Sequence, residues 1–443
     1  MRDSYLYQDS FSTPAMRAIF ADRHQLECQI RVEVALARAQ ARLGIIPADA
    51  AQTIAEVADY DRLDLERLKH DTENVGYPIL PLVEQLGEHC GDHGGYLHWG
   101  ATTQDVMDTA LVLQMREALD LVATDLQTLR ATLAELARRH RDTPMAGRTH
   151  LQHALPITFG YKAAVWLSMF DRHDERLAQL RPRLEVVAFS GAAGTLASLG
   201  NRGLEVQAEL AAELGLGQAS ISWHTARDSL TEAVHWLGLV TASLGKIAQD
   251  VMLMMATEFG EVFEPFVPGR GASSTMPQKR NPISCEIICA AAKSVRQQAA
   301  TMLDASIQDF ERATGPWQAE WIAIPESFAL TSGALAQANF ALAGLEVDGA
   351  RMAANLDMTH GLIVAEAVMM ALADHTGRQA AHDIVYRACR IASDQALPLA
   401  DALAADERVT AHLDRARIQA LTDPANYLGQ APAMVDRVLA GTR

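Results

Sequence analysis

Apolar side chains recur along the middle of the chain at steps of three and four. The clearest stretch runs Leu111, Met115, Leu119, Val122, Leu126, Leu129, Leu133 and Leu136. That spacing is the helical period, not the two-residue period of a strand, and it predicts an amphipathic helix over Val106 to Arg139. At 1.5 Å per residue such a helix is about 50 Å long, and its apolar stripe cannot be buried without partners, so a bundle is required. No proline falls between Leu82 and Thr143 or between Arg183 and Glu264. Comparable patterns predict long helices over Thr158–Leu180, Leu230–Glu258, Pro282–Ile307 and Pro325–Leu345, the third opened by a proline in its first turn. Shorter helices are expected in the N-terminal third, among them Gln25–Leu43, ended by Gly44 and Pro47, and again from about Thr359. Strand-like alternation is scarce, so the expected class is all-α.

Composition narrows the function. The 443 residues are 49% apolar and 21% charged, which excludes a disordered chain, a collagen-like repeat and a small disulfide-stapled module. Lys and Arg total 38 against 55 Asp and Glu, a net charge of −17, so the basic face of a general nucleic-acid binder is missing. A local basic pocket on such a chain can still take an anionic substrate. The cysteines, Cys28, Cys90, Cys285, Cys289 and Cys389, are odd in number and form no CxxC, so reduced thiols and a cytoplasmic setting are expected. Cys285 and Cys289, four apart, are expected to share a helix face. The start, MRDSYLYQDS, shows no leader pattern. The apolar stretch Leu362–Ala373 is broken by Glu366 and too short to span a bilayer, so no membrane association is expected.

Three polar, glycine-containing segments interrupt the helical pattern: HWGATTQD from His98, GRTHLQH from Gly147, and PGRGASSTMPQKRN from Pro268. Function concentrates on such segments when rigid elements hold them. The third offers the hydroxyls of Ser273 and Ser274, the cation of Lys279 and the amide of Asn281, followed by a helix N-terminus that favours anions. It reads either as an anion site with a nucleophile or base, or as a flexible surface loop; it is not a Walker P-loop. In the first segment Thr102, Thr103 and Asp105 read equally as a helix cap and as carboxylate-binding groups. His150 and His153, and the HCGDH stretch His89–His93, lack a third ligand at metal-site spacing, so no metal is expected.

Together the three segments resemble the fumarase/aspartase superfamily over essentially the whole chain. GASSTMPQKRNP is similar to its mobile signature loop, and HWGATTQD and GRTHLQHALPITFG to its other two conserved regions. YLHWGATTQDVMDTALVLQ, SSTMPQKRNP and WQAEW look most like the 3-carboxy-cis,cis-muconate cycloisomerase branch, with the adenylosuccinate lyase branch next. The resemblance implies an all-α, three-domain fold with a central five-helix bundle, divided here as 1–105, 106–355 and 356–443. It also implies a homotetramer with a twenty-helix core, whose active sites each draw on three subunits.

By the same resemblance Ser273 is the base, and Lys279 and Asn281 hold a substrate carboxylate. His150 is the acid, oriented by Glu286. Thr102, Thr103, Gln152, His153 and Ser274 are further substrate contacts, with Arg227 of HTARDSL added. No cofactor is implied, and the partner is a small di- or tricarboxylate. Chemically, a proton leaves carbon beside a carboxylate and a group departs from the next carbon. Fixed donors stabilise the carbanion, and a closed electropositive loop makes a serine alkoxide usable.

The pattern departs from the cycloisomerase branch in two places. That branch is associated with tryptophan after GRT and with MPHKRNP lacking a following glutamate; here His150, Gln278 and Glu286 stand there. An acid and its orienting group are thus present together. The leading expectation is therefore β-elimination of C–N or C–O from a substituted succinate, giving fumarate. The alternative is lactonisation by a 3-carboxy-cis,cis-muconate cycloisomerase, with His153 or Lys279 as proton donor. A silent structural protein on the same scaffold comes third. Adenylosuccinate is disfavoured, because the stretch from Glu311 carries Trp317 and Trp321 where that branch has phosphate-holding serines; the tryptophans read as a pocket wall or as core anchors.

Overall fold

The structure is a computed structural model that describes residues 4–441. It is an all-α fold with two small two-stranded sheets. The elements used below are helices α1 (Asp22–Arg42), α2 (Thr103–Arg139), α3 (Phe159–Leu184), α4 (Asp228–Met255), α5 (Ile283–Ala305), α6 (Pro316–Ala343), α7 (Ala365–Thr376) and α8 (Arg378–Gln395). The strands are β1 (Pro144–Thr149), β2 (Gln152–Thr158), β3 (Val262–Phe263) and β4 (Glu346–Val347). Long helices α2 to α6 match the five expected ones. The residues group into two compact units: the chain up to Leu126 with His173–Gly245 and Ile287–Gln337, and Gln127–Arg172 with Lys246–Glu286 and Ala338 onward.

In the first unit, Met115, Leu119, Val122 and Leu126 of α2 are fully buried, as the step pattern requires; Leu111 is half-buried. Each fully buried leucine contributes about 1.5–3 kcal/mol. Leu230, Val234, Leu237, Val240 and Leu244 of α4 are buried in the same way. By length and composition α4 is apolar enough to cross a membrane, and half of its most apolar window is buried within the protein. Helix α6 starts nine residues earlier than expected. Pro316, whose missing N–H costs nothing in a first turn, opens it, and Pro325 is carried inside. This places Trp317 and Trp321 one turn apart with ring centroids 5.1 Å apart. Trp317 is 3% exposed and donates to Asp108 at 3.1 Å, so it is a core anchor.

In the second unit, Leu129 and Leu133 continue the α2 stripe at full burial. Val368 and Leu372 of α7 pack with Ala381, Val385 and Ala388 of α8 in a separate core. The sequence pattern misses one element here: GRTHLQHALPIT is not a loop but the β1–β2 hairpin. Its alternation is broken by an irregular register between Ala146 and Arg148, which hides the two-residue period. The cysteines are free thiols, as expected.

Candidate active site

The hairpin sets the position of the histidines. Arg148 pairs with His153 and Thr149 with Gln152, which leaves His150 and Leu151 as the two turn residues. Their φ values are +50° and +63°. A two-residue hairpin turn of this hand favours Asn-Gly, so a histidine and a leucine there carry backbone strain of order 1–3 kcal/mol, typical of functional positions. The strained turn is held from below. Arg148 makes two hydrogen bonds, 2.9 and 2.7 Å, to the fully buried carboxylate of Glu261, and its guanidinium lies 4.8 Å from the Phe259 ring centre. Asn355 donates to the same carboxylate at 2.8 Å. His150 and Gln152 are exposed and His153 is half-buried. Burial, then the Arg148 charge, push the His153 imidazole below its ordinary range, against an opposite pull from Glu261. Its Nδ1 is buried without a hydrogen-bond partner among the described residues.

The Pro268–Asn281 loop is closed at its base. Asn281 N–H donates to Gly271 C=O at 3.0 Å. Gly271 has φ +68°, and a Cβ there would lie 2.5 Å from Asn281 O, so glycine is required. Two arginines hold the feet: Arg270 donates to Ser284 Oγ at 2.6 Å, and Arg280 donates to Glu346 and to Glu264 C=O. Within the loop, Ser273 Oγ accepts N–H bonds from Thr275 at 3.3 Å and Met276 at 3.1 Å. Two backbone donors on one hydroxyl oxygen favour its alkoxide over its neutral form. Ser274 and Lys279 are exposed, and Asn281 is half-buried.

One expectation changes here. The N-terminus of α5 does not offer its N–H groups to an anion, because the buried Glu264 carboxylate caps it, accepting from Ser284 at 3.2 Å and Cys285 at 2.9 Å. Within the single chain neither the His150 nor the Glu286 side chain has a hydrogen-bond partner among the described residues, and Glu286 lies exposed in the first turn of α5.

In the first unit the start of α2 is built around Asp105. This buried carboxylate accepts from Thr102 N–H at 3.0 Å, Ser190 N–H at 2.8 Å and Gly191 N–H at 2.9 Å, and is paired with His224 Nε2 at 2.7 Å. The capping reading is therefore right for Asp105, which also ties down the Ser190–Gly191 backbone. Thr102 and Thr103 are half-buried. The Thr102 hydroxyl accepts from Arg312 Nη1 at 3.1 Å, and Arg312 further donates to Gln104 and to Ala192 C=O. This half-buried fork uses one N–H of Nη1, leaving the other for a carboxylate. Nothing in the sequence pattern singles out Arg312, since an arginine beside an acidic residue on a loop has no distinguishing period.

Arg227, expected to touch substrate, does not reach a surface. It is fully buried, paired with Asp108 at 2.6 Å and Glu320 at 2.5 Å. Burial opposes its charge, but the two carboxylates outweigh it and hold the guanidinium above its ordinary value. Its donors are spent on structure. The neighbouring His98, at φ +57°, meets the buried Glu33 carboxylate through both its N–H (3.1 Å) and Nδ1 (2.6 Å). Burial lowers its pKa, yet the Glu33 charge and hydrogen bond, helped by Asp105, raise it above the ordinary histidine value.

Comparison with known proteins places these features in a family. Residues 9–296 match the family model described as "Lyase", and 361–438 match the adenylosuccinate lyase C-terminus. The chain is 49% identical to a 3-carboxy-cis,cis-muconate cycloisomerase of Pseudomonas aeruginosa, covering 98% of this chain and 96% of that one. It is equally 49% identical to trans-aconitate decarboxylase 1 of Mycosarcoma maydis, covering 98% and 88%. A solved fumarate lyase from a Mesorhizobium species is 58% identical, with TM-score 0.93, covering 98% of this chain and 99% of that one.

Proposed function

The chain belongs to the lyase family of the fumarase/aspartase superfamily, and on that premise we propose that it is an enzyme of an unsaturated tricarboxylate, lactonising 3-carboxy-cis,cis-muconate. The observation that carries this reading is the near full-length identity to a cycloisomerase, joined to the Ser273 cradle. In the proposed reaction a substrate carboxylate oxygen adds to one carbon of a double bond. The electron pair moves to the neighbouring carbon, which bears a carboxylate, and that carbon takes a proton. A neutral Ser273 hydroxyl delivers it, and the alkoxide left behind is held by the Thr275 and Met276 N–H groups until solvent returns the proton. Lys279, Asn281, Ser274, Thr102, Thr103, Gln152 and Arg312 serve as carboxylate contacts. His150 and His153 are the alternative proton carriers. We further propose a homotetramer with each site drawn from three copies; exposed Leu239, Leu303 and Ile322 on the long helices support self-association.

A second reading, β-elimination to fumarate, is favoured by the 58% identity to a fumarate lyase. It uses the same site in reverse, Ser273 taking the proton. The test is proton NMR of the protein with 3-carboxy-cis,cis-muconate, trans-aconitate and a set of substituted succinates, alongside Ser273→Ala. Lactone signals from the muconate, absent in Ser273→Ala, support the proposal. An inert muconate with fumarate released from a succinate, or with trans-aconitate consumed, overturns it in favour of elimination or decarboxylation.

A further inference from the structure

His24 and Cys28 stand one turn apart on α1, and Glu117 faces them from α2. His24 Nε2 is 2.7 Å from Glu117 Oε2 and 3.6 Å from Cys28 Sγ, and the three donor atoms lie within 4.8 Å of one another. We propose that these three side chains bind one divalent transition-metal ion of zinc type, at a site separate from the candidate active site. Glu117 is fourteen residues along α2 from Thr103, about 21 Å at 1.5 Å per residue.

The two separations from His24 are close to those around a tetrahedral ion, and Cys28 Sγ and the Glu117 carboxylate lie within 4.8 Å of each other. With zinc–ligand bonds of about 2.0–2.3 Å, a nitrogen and a sulfur ligand sit about 3.6 Å apart, and a nitrogen and an oxygen about 3.3 Å apart. The His24–Cys28 separation already has the first value. Glu117 has to withdraw by about 0.6 Å, which a 35% exposed side chain does by rotation. One imidazole, one thiolate and one carboxylate suit zinc or cobalt and exclude the oxygen-seeking magnesium and calcium. A carboxylate also stands behind the histidine: Glu27 Oε2 is 3.6 Å from His24 Nδ1 and is held by Arg23 at 2.8 Å. With an ion on Nε2 the ring proton has to sit on Nδ1, the side on which Glu27 stands.

Access is one-sided. His24 is 31% exposed and Glu117 35%, while Cys28 is buried, so an ion enters past the first two and keeps water as its fourth ligand. Burial, then the Glu117 charge, push the Cys28 thiol up to about 12, with Arg31 and Arg116 pulling the other way. An ion binding here has to displace the thiol proton. Once bound, the ion would pin α1 to α2, the helix that opens with Thr103.

The test uses the full-length protein treated with a chelator and then titrated with Co²⁺. The expected result is a thiolate-to-cobalt charge-transfer band saturating at one ion per chain and bleached by Zn²⁺. Cys28→Ser should abolish the band. His24→Gln and Glu117→Gln, changes at half-exposed positions, should each weaken Co²⁺ binding at least about tenfold. If Cys28→Ser does not fold, the latter two variants carry the test. No band in the parent protein, a band that survives Cys28→Ser, or unchanged affinity in both half-exposed variants overturns the site.

Discussion

Replacing Arg227 by leucine removes one guanidinium that serves two carboxylates in the interior of the first unit. Asp108 and Glu320 are each at most 1% exposed on their side chains. After the change Asp108 keeps donors from Gln104 at 3.0 Å and Trp317 at 3.1 Å, whereas among the described residues Glu320 keeps only Gln308 at 3.0 Å. Glu320 is therefore the group that takes a proton. Its pKa is already raised, because burial and the Asp108 charge oppose ionisation more than Arg227 favours it. Protonating an ordinary carboxyl at pH 7 costs about 3–4 kcal/mol, and this falls by about 1.4 kcal/mol per pH unit. The ceiling on the proton's contribution is thus about 3–4 kcal/mol at pH 7 and about 1 kcal/mol at pH 5, within the range for breaking a buried ion pair. The sign follows from linkage. A carboxyl raised in the folded state gives most stability below its ordinary value near 4.5 and loses it as pH rises through the folded value. Arg227→Leu raises it further, so the variant's deficit grows with pH. Urea unfolding of both proteins at pH 5 and pH 7, followed by far-ultraviolet circular dichroism, reads the difference. Adding Asp108→Asn and Glu320→Gln to Arg227→Leu should recover most of the loss, since no charge is then stranded. A deficit under about 1 kcal/mol at pH 7, or one equal at both pH values, would refute the reasoning.

Gly271→Ala forces a Cβ to within 2.5 Å of Asn281 O at a left-handed φ, so the signature loop loses its base. Turnover should fall at least about tenfold with little change in melting temperature, and full activity would show that the loop closes without that contact. Glu33→Gln removes the partner that raises His98. In the parent, the stability from this pair is present below the ordinary histidine value and lost as pH rises through the raised one. The variant's melting temperature should therefore vary less between pH 6 and pH 9, and an undiminished dependence counts against the pair. Arg312→Gln takes the charged fork off the Thr102 hydroxyl. KM for the carboxylate substrate should rise at least about tenfold, more than kcat falls, and an unchanged KM removes Arg312 from the substrate site.

The long helices were legible because burial of an amphipathic helix imposes its period on the sequence. The Leu111–Leu136 stripe of α2 is buried almost throughout, with Leu111 half-buried, and the helix ends fall within a few residues of the reading. Two prolines offer a start for α6, and the helix that begins at Pro316 packs Trp317 beside Asp108. The GRTHLQHALPIT hairpin was lost because an irregular register erases a strand's period.

Residue types also mark a loop as a candidate for chemistry. Ser273, Lys279 and Asn281 stand on a loop whose glycine at 271 is demanded by its geometry. What a side chain does there depends on partners far away in the chain. Arg227 and Arg312 are both arginines near the segments singled out, yet one is enclosed by Asp108 and Glu320 and the other rests half-exposed on Thr102. The α5 N-terminus looked open to an anion until Glu264, some twenty residues earlier, was seen to fill it. Local sequence determines period, turn chemistry and the supply of functional groups. Which donors and charges remain unspent is decided by long-range pairing, and only the tertiary structure shows it.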